Sequence, residues 1–374
     1  MNTSWEILLK LVRVAMGWEK EFSLPEDIDW EAVLQLSHEQ GVNAIVLDGL
    51  EKLMEETSYS FPPKDKLFII DAIGSLQIVE HNTLNQLAAL KDVAAILHAK
   101  QIPFMIMKGF ACGQYYPEPR HRPCGDIDIY PGGKYEESNQ AFCEAGIVSN
   151  PYYYRHSALS IRGVMIENHK ILGSLRWSKK ETREFEAWLE REAKKSIETG
   201  TEAKVLNEKI PGGVFPNADF NALFLPWHVS AHFAFERVTI RHLLDWSLFL
   251  SNEGKSINVA QFREAKKRFI HGYSKIAEIM TNLSVRYLNM PVTNLPKVIS
   301  EDAMRIDSGL ADKVLVYMFE GQLRERDEKL WKSRWNNLKR IWKERWKYKE
   351  VYNMSPAVFM LHQAKGVLFR IGES

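Results

Sequence analysis

The sequence predicts an α+β fold, a small mixed β-sheet core flanked by N-terminal and C-terminal helical regions. Three observations predict it. Apolar residues recur at helical spacing through most of the first hundred residues and again beyond residue 206. Between those regions lie short apolar or alternating runs of strand length, punctuated by Gly and Pro. With 45% hydrophobic and 26% charged residues, the 374-residue chain has the composition of a globular protein. At about 150 residues per domain, that length allows two to three units. The expected boundaries are 1–100, 101–205 and 206–374.

In chain order, Ile7, Leu8, Leu11 and Val12, then Val33, Leu34 and Leu36, then the apolar positions of 67–73 and 84–97, fall on helical stripes. Glu6, Lys10 and Arg13 interrupt the first stripe, so it reads as an amphipathic helix and not as a signal peptide. The run IPFMIM at 102–107 suits a buried strand that turns into a helix at Lys108-Gly109. Residues 126–130, DIDIY, alternate like a strand and end at Pro131-Gly132-Gly133. A helix over 134–145, closed by Gly146, follows. Residues 152–169 predict a β-hairpin, with SALSI and VMIEN as strands about an Arg162-Gly163 turn.

Helical periodicity returns at 183–197 and, after a break at Pro211-Gly212-Gly213, at 218–235, 238–250, 259–269, 274–287 and 311–322. The last biased stretch, 330–349, sets Trp331, Trp335, Trp342 and Trp346 among eight basic residues. It reads as an amphipathic helix that buries its tryptophans, including Trp331, Trp335 and Trp342, in preference to a face for nucleic acid.

Lys and Arg number 49 against 48 Asp and Glu, a net charge of +1, so no global field marks a nucleic-acid or membrane-surface protein. Three cysteines at no finger spacing fit a reducing compartment. No apolar run approaches the ~18 residues of a membrane span. A cytoplasmic protein is expected, with neither nucleic acid nor membrane as partner.

On a strand, Asp126 and Asp128 project from one face while Ile127 points the other way. Two neighbouring carboxylates repel unless a cation lies between them, and a hard divalent ion is the natural one. An Asp-x-Asp pair alone also describes an exposed edge strand. What narrows the reading is Lys108-Gly109 upstream, where backbone N–H groups and an ammonium would face triphosphate.

The stretch MKGFACGQYYPEPRHRPCGDIDIY, residues 107–130, resembles the signature of the uncharacterised nucleotidyltransferase family, within the polymerase-beta-like nucleotidyltransferase superfamily. That signature is an apolar strand, Lys-Gly, a helix ending near Tyr-Pro, an arginine, then Gly-Asp-x-Asp. The likeness continues through Glu167 and His169 on the hairpin, and through His232 and the Arg-x-x-x-Asp of Arg241 and Asp245. It implies a two-metal transfer of a nucleoside monophosphate from an NTP to a hydroxyl acceptor, with Mg²⁺ (or Mn²⁺) on Asp126, Asp128 and Glu167 and release of pyrophosphate. The acceptor would be a small molecule, a sugar or a protein. Lys108, Gly109, Arg122, His169, His232 and Arg241 are the implied nucleotide-binding residues.

Two departures stand out. Phe110 follows Gly109 where better-known members of the superfamily carry Ser or Gly, and the third carboxylate is Glu where Asp is commoner. They keep a second reading open, a catalytically decayed nucleotide-binding or scaffolding protein, and an RNA-modifying enzyme is a third. His228 and His232 have the i, i+4 spacing of zinc ligands, but Val229 replaces the glutamate of a metalloprotease, so core packing is the expectation for His228. His232 is either a satisfied buried histidine or a pocket wall. Arg241 and Asp245 are either an intrahelical ion pair or functional.

Overall fold

The computed structural model describes residues 3–20, 24–25, 27–57, 66–153, 155–173, 179–269, 273, 275–320 and 339–360. The N-terminal region is helical: α1 (Thr3–Ala15), α2 (Trp30–Glu39), α3 (Asn43–Glu56) and the long α4 (Lys66–Ala99). Then come β1 (Phe104–Met107), the single turn α5 (Gly109–Gly113), β2 (Ile127–Tyr130) and α6 (Tyr135–Glu144). Strands β3 (Asn150–Tyr153), β4 (His156–Ile161) and β5 (Val164–His169) precede α7 (Lys179–Thr199), β6 (Glu202–Val205) and β7 (Glu208–Val214). The rest is helical: α8 (Ala218–Phe235), α9 (Ile240–Glu253), α10 (Val259–Arg268), α11 (Lys275–Leu288), α12 (Lys297–Met304) and α13 (Ser308–Glu320).

The strands form one mixed sheet in the order β3-β4-β5-β2-β1-β7-β6. Because successive side chains leave a strand on opposite sides, the short apolar strands sort their residues onto two faces. Phe104, Ile106, Ile127, Ile129, Leu159 and Ile166 pack with Leu90, Val93 and Leu97 of α4 and Phe142 of α6. Met105, Met107 and Tyr130 turn the other way, into a core shared with α1, α8 and α9. The sheet thus has helices packed against both faces, more cover than the one-sided layer of a simple α+β sheet. The hairpin forms as expected: Ile161 pairs with Val164, and the connecting Arg162 and Gly163 both have positive φ, 54° and 75°, as a primed turn demands.

Two expectations fail on physical grounds. The Pro211-Gly212-Gly213 segment is not a break but part of β7, which pairs parallel with β1 and carries the sheet past residue 205. The missing proline N–H and the left-handed Gly212 (φ 74°) are absorbed where β6 and β7 shift register. In the last biased stretch, Trp342 is 60% exposed, while Ile341, Lys347 and Tyr348 are buried. The apolar side of that segment is therefore set by other residues; Trp331 and Trp335 lie outside the described residues.

Helix α8 contains Pro226, which cannot donate to the carbonyl of Ala222. The Tyr273 hydroxyl donates to that carbonyl at 2.8 Å, and Tyr348 and Tyr352 donate to the carbonyls of Ala234 and Ser230 farther along. These bonds allow an apolar, proline-bearing helix to run through the core and carry its histidines to one side of the sheet.

Candidate active site

Sheet register assembles the acidic cluster. In the parallel pair β2–β5, Asp128 lies beside Glu167, and in the hairpin His156 lies opposite His169. Residues paired across strands share a face, and positions two apart on a strand do too, so Asp128, Glu167, His169 and His156 all leave the sheet on the side away from Ile127 and Ile166. Asp126 precedes β2 by one residue, and its carboxylate approaches those of Asp128 and Glu167, with ligating oxygens all within 4.8 Å.

The charges are coupled. Lys108 Nζ lies 2.7 Å from Asp128 Oδ1, and His169 Nε2 donates to the same oxygen at 2.8 Å. His169 Nε2 also lies 3.4 Å from Glu167, whose other oxygen is 3.4 Å from His156 Nε2. Burial opposes ionisation of Asp128, but the Lys108 ammonium and His169 outweigh it and hold the carboxyl below its ordinary range. Burial would likewise lower His169, yet its bonds to Asp128 and Glu167 raise it. For Asp126 the balance is reversed: burial and then repulsion from Asp128 outweigh the attraction of Lys108 and push its pKa up. For Lys108 burial is again opposed, by Asp128, Asp126 and Glu167, with a net rise.

Lys108 adopts φ 48°, ψ −125°, a region that disfavours side chains. Such strain costs of order 1–3 kcal/mol and is retained where the surroundings fix it, here by the ion pair to Asp128. Gly109 follows. A Cβ there would come within 2.7 Å of Cys124 Sγ, so the glycine is required by packing against the loop that leads into β2. Phe110 points into the core beneath the sheet, only 8% exposed. Because α5 is one turn long, its dipole adds little, and the Lys108 ammonium is the main positive charge beside the carboxylates.

Arg122 has a different environment. Its Nε and Nη2 donate to the two oxygens of Asp245 at 2.8 and 2.7 Å, and the Tyr116 hydroxyl donates to the same carboxylate at 2.7 Å. The bidentate pair is buried, and it ties the 115–125 loop to α9. The neighbouring His121 bonds Asp48 of α3 at 2.7 Å and Glu80 of α4 at 3.2 Å, fixing the other side of that loop. Asp245 thus pairs with Arg122 and not within its own helix, and Arg241 donates to the Pro123 carbonyl at 3.3 Å.

Helices α8 and α9 carry a group of histidines, one of them within electrostatic reach of Lys108. His228 feels the Lys108 ammonium, and that charge, after burial itself, keeps its imidazole neutral. His232 lies beside it, Nε2 to Nε2 at 3.2 Å, and its Nδ1 is 2.7 Å from Glu236. His242 is the third member of this group, with ring centroids 5.4 Å from His232 and 6.2 Å from His228. His156 and His242 are not singled out by the sequence, and their signals differ in legibility. His156 follows from counting the hairpin register outward from Arg162-Gly163, whereas His242 reaches the group only through the tertiary approach of α9 to α8.

The pattern of the family described as uncharacterised nucleotidyltransferase matches residues 26–287, from α2 through α11. No curated protein and no solved structure matches the chain. Among the described residues, no helix is long and apolar enough to cross a membrane. The matched span is more than half of the chain and contains the whole acidic cluster, its lysine and helices α8 and α9; the chain belongs to the uncharacterised nucleotidyltransferase family.

Proposed function

We propose that the protein transfers a nucleoside monophosphate from an NTP to a hydroxyl acceptor, using Mg²⁺ or Mn²⁺ held by Asp126, Asp128 and Glu167. The observation that carries this reading is the β2–β5 register, which sets Asp128 beside Glu167 with Asp126 close by. Three carboxylates against one ammonium and one imidazolium leave surplus negative charge, and hard oxygen donors suit such ions. Both Lys108 and His169 meet Asp128 at Oδ1, which leaves Oδ2 as the donor for a cation. When bound, the cation would hold the triphosphate and take up charge as pyrophosphate departs.

The chain's own groups supply the rest. The acceptor oxygen bonds to the α-phosphorus as the bond to the β-phosphate oxygen breaks, and the acceptor proton passes to a carboxylate. Glu167 suits that role: it stays ionised, because its bond to His169 outweighs burial, and with 24% of its side chain exposed it is open to an acceptor as buried Asp128 is not. Lys108 offers its ammonium to the phosphates. His169 orients Asp128 and Glu167, Arg122 holds the loop through Asp245, and His232 and Arg241 face the space where a base or acceptor would lie.

Calorimetric titration of ATP, GTP, CTP and UTP with Mg²⁺ tests the reading on wild type and Asp126→Asn/Asp128→Asn. Binding by wild type alone, and only with metal, is the expected result, followed by pyrophosphate release once a hydroxyl acceptor is supplied. Binding to neither protein overturns it; equal binding to both, with or without metal, favours a nucleotide-binding scaffold.

A further inference from the structure

Helices α8 and α9 carry a second group of ligand type, built from different chemistry. His228 and His232 stand one turn apart on α8, and His242 is at the third position of α9. One nitrogen of each lies within 4.8 Å of the others. The two Nε2 atoms are 3.2 Å apart. Tetrahedral geometry with metal–nitrogen bonds of about 2.0–2.1 Å puts ligand nitrogens roughly 3.3–3.4 Å apart, so little movement would be needed.

We infer that His228, His232 and His242 form a binding site for a borderline transition-metal ion such as Zn²⁺ or Co²⁺, with one coordination position left open. Three imidazoles suit such ions and not Mg²⁺, which separates this site from the carboxylates. Glu236 supports it. Its carboxylate, 2.7 Å from His232 Nδ1, takes the proton there and turns the Nε2 lone pair inward, the usual arrangement around a metal-bound histidine. Thr239 does the same for His242: its hydroxyl lies 3.0 Å from Nδ1 and accepts a hydrogen bond from Nδ1–H once Nε2 ligates. Without an ion, that Nδ1 accepts the Thr239 N–H at 3.2 Å and His228 Nε2–H donates to His232 Nε2, so entry of a metal requires both His242 and His228 to exchange tautomers. The fourth position would hold water or a donor atom of a bound molecule. This site stands on the helix geometry alone and does not depend on the transfer reading.

The test is a Co²⁺ titration of chelator-treated full-length protein in excess Mg²⁺, read by the visible bands of four-coordinate Co²⁺ and by displacement with Zn²⁺. Wild type and Asp126→Asn/Asp128→Asn are expected to bind one equivalent with the same spectrum. His232→Asn and His242→Asn should lose the bands. Glu236→Gln, a change at a half-exposed side chain that spares the fold, should weaken binding about 10–100-fold, as removal of an outer-shell partner does. Circular dichroism checks that each variant folds. The inference is overturned if wild type binds no stoichiometric Co²⁺, if Glu236→Gln binds as tightly as wild type, or if the bands follow Glu167→Gln, which would place the ion at the His156–His169 cluster.

Discussion

Two cation–carboxylate pairs draw their cations from the same stretch of chain and differ in almost everything else. Arg122–Asp245 is closed: two parallel hydrogen bonds, a tyrosine hydroxyl as third donor, and charges that cancel. Lys108–Asp128 is open: one contact, a strained backbone, a histidine competing for the same oxygen, and two further carboxylates that leave the group negative. A pair that satisfies itself holds structure, and a pair that does not is set to receive another cation. The comparison places Arg122 in the frame and leaves Lys108 in a cluster with negative charge to spare, although both sit beside the same motif.

Breaking the closed pair should have the largest effect on stability. Asp245→Ala leaves a guanidinium and a phenol hydroxyl buried without their acceptor, and removing one partner of such a pair costs about 3–5 kcal/mol. Urea unfolding should show this as a lower midpoint with unchanged slope. A loss under about 1 kcal/mol would mean that water reaches Arg122, and the distinction between the pairs would collapse.

The open pair should respond in the opposite sense. Lys108→Gly removes the ammonium but also releases a backbone strain of order 1–3 kcal/mol, so stability should change little. Transfer activity should nonetheless fall about 10²–10³-fold, the usual result of deleting one positioned charge or donor. If Lys108→Gly unfolds the protein as readily as Asp245→Ala does, the lysine is structural after all.

Legibility in the sequence follows the same division between local and distant causes. The helical regions, the hairpin and the strand before Lys108-Gly109 could be read from periodicity and turn chemistry, because each depends on neighbours within a few residues. Asp126 and Asp128 could be read from alternation. That Glu167 lies beside Asp128 came only through the family resemblance, since the parallel β2–β5 pairing joins residues about forty positions apart. No spacing rule brings Arg122 to Asp245, and the intrahelical pair that is one of two readings for Arg241 and Asp245 yields to a buried bidentate partner 123 residues away. Strand β7 was hidden by Pro211-Gly212-Gly213, whose turn signal is genuine but is used inside a strand. Trp342 shows the limit of composition: aromatic rings mark apolar area, not which side of a segment is buried.

Changing pH should separate the pairs without mutation. His169 is raised in the folded protein, so its stabilising contribution is complete below the unfolded value near 6.5 and is lost as pH rises through the folded value. Asp245 is held low by Arg122 after burial is overcome, so its contribution persists above the unfolded value near 3.9 and disappears only as pH falls through the folded one. From neutral to mildly alkaline pH the acidic cluster should therefore loosen while the loop strut holds. Unfolding free energy measured across that window should fall in wild type relative to His169→Gln, with Asp245→Ala parallel to wild type. Parallel curves for wild type and His169→Gln would mean that His169 does not carry the proton.

The smallest effect is expected where an ion pair exists but neither burial nor function needs it. Arg162, in the hairpin turn, pairs with Asp92 of α4 at 2.6 Å, both side chains about half exposed, and such solvent-screened pairs add little to stability. Arg162 also pays for a positive φ of 54° that asparagine adopts more readily. Arg162→Asn thus loses one small term and gains another of similar size, and the melting temperature should hardly move. A clear destabilisation would mean that the Asp92 contact clamps the turn, and with it the hairpin register that sets His156 opposite His169. Even a modest surface pair would then belong to the site, and the line between frame and chemistry would have to be drawn farther out.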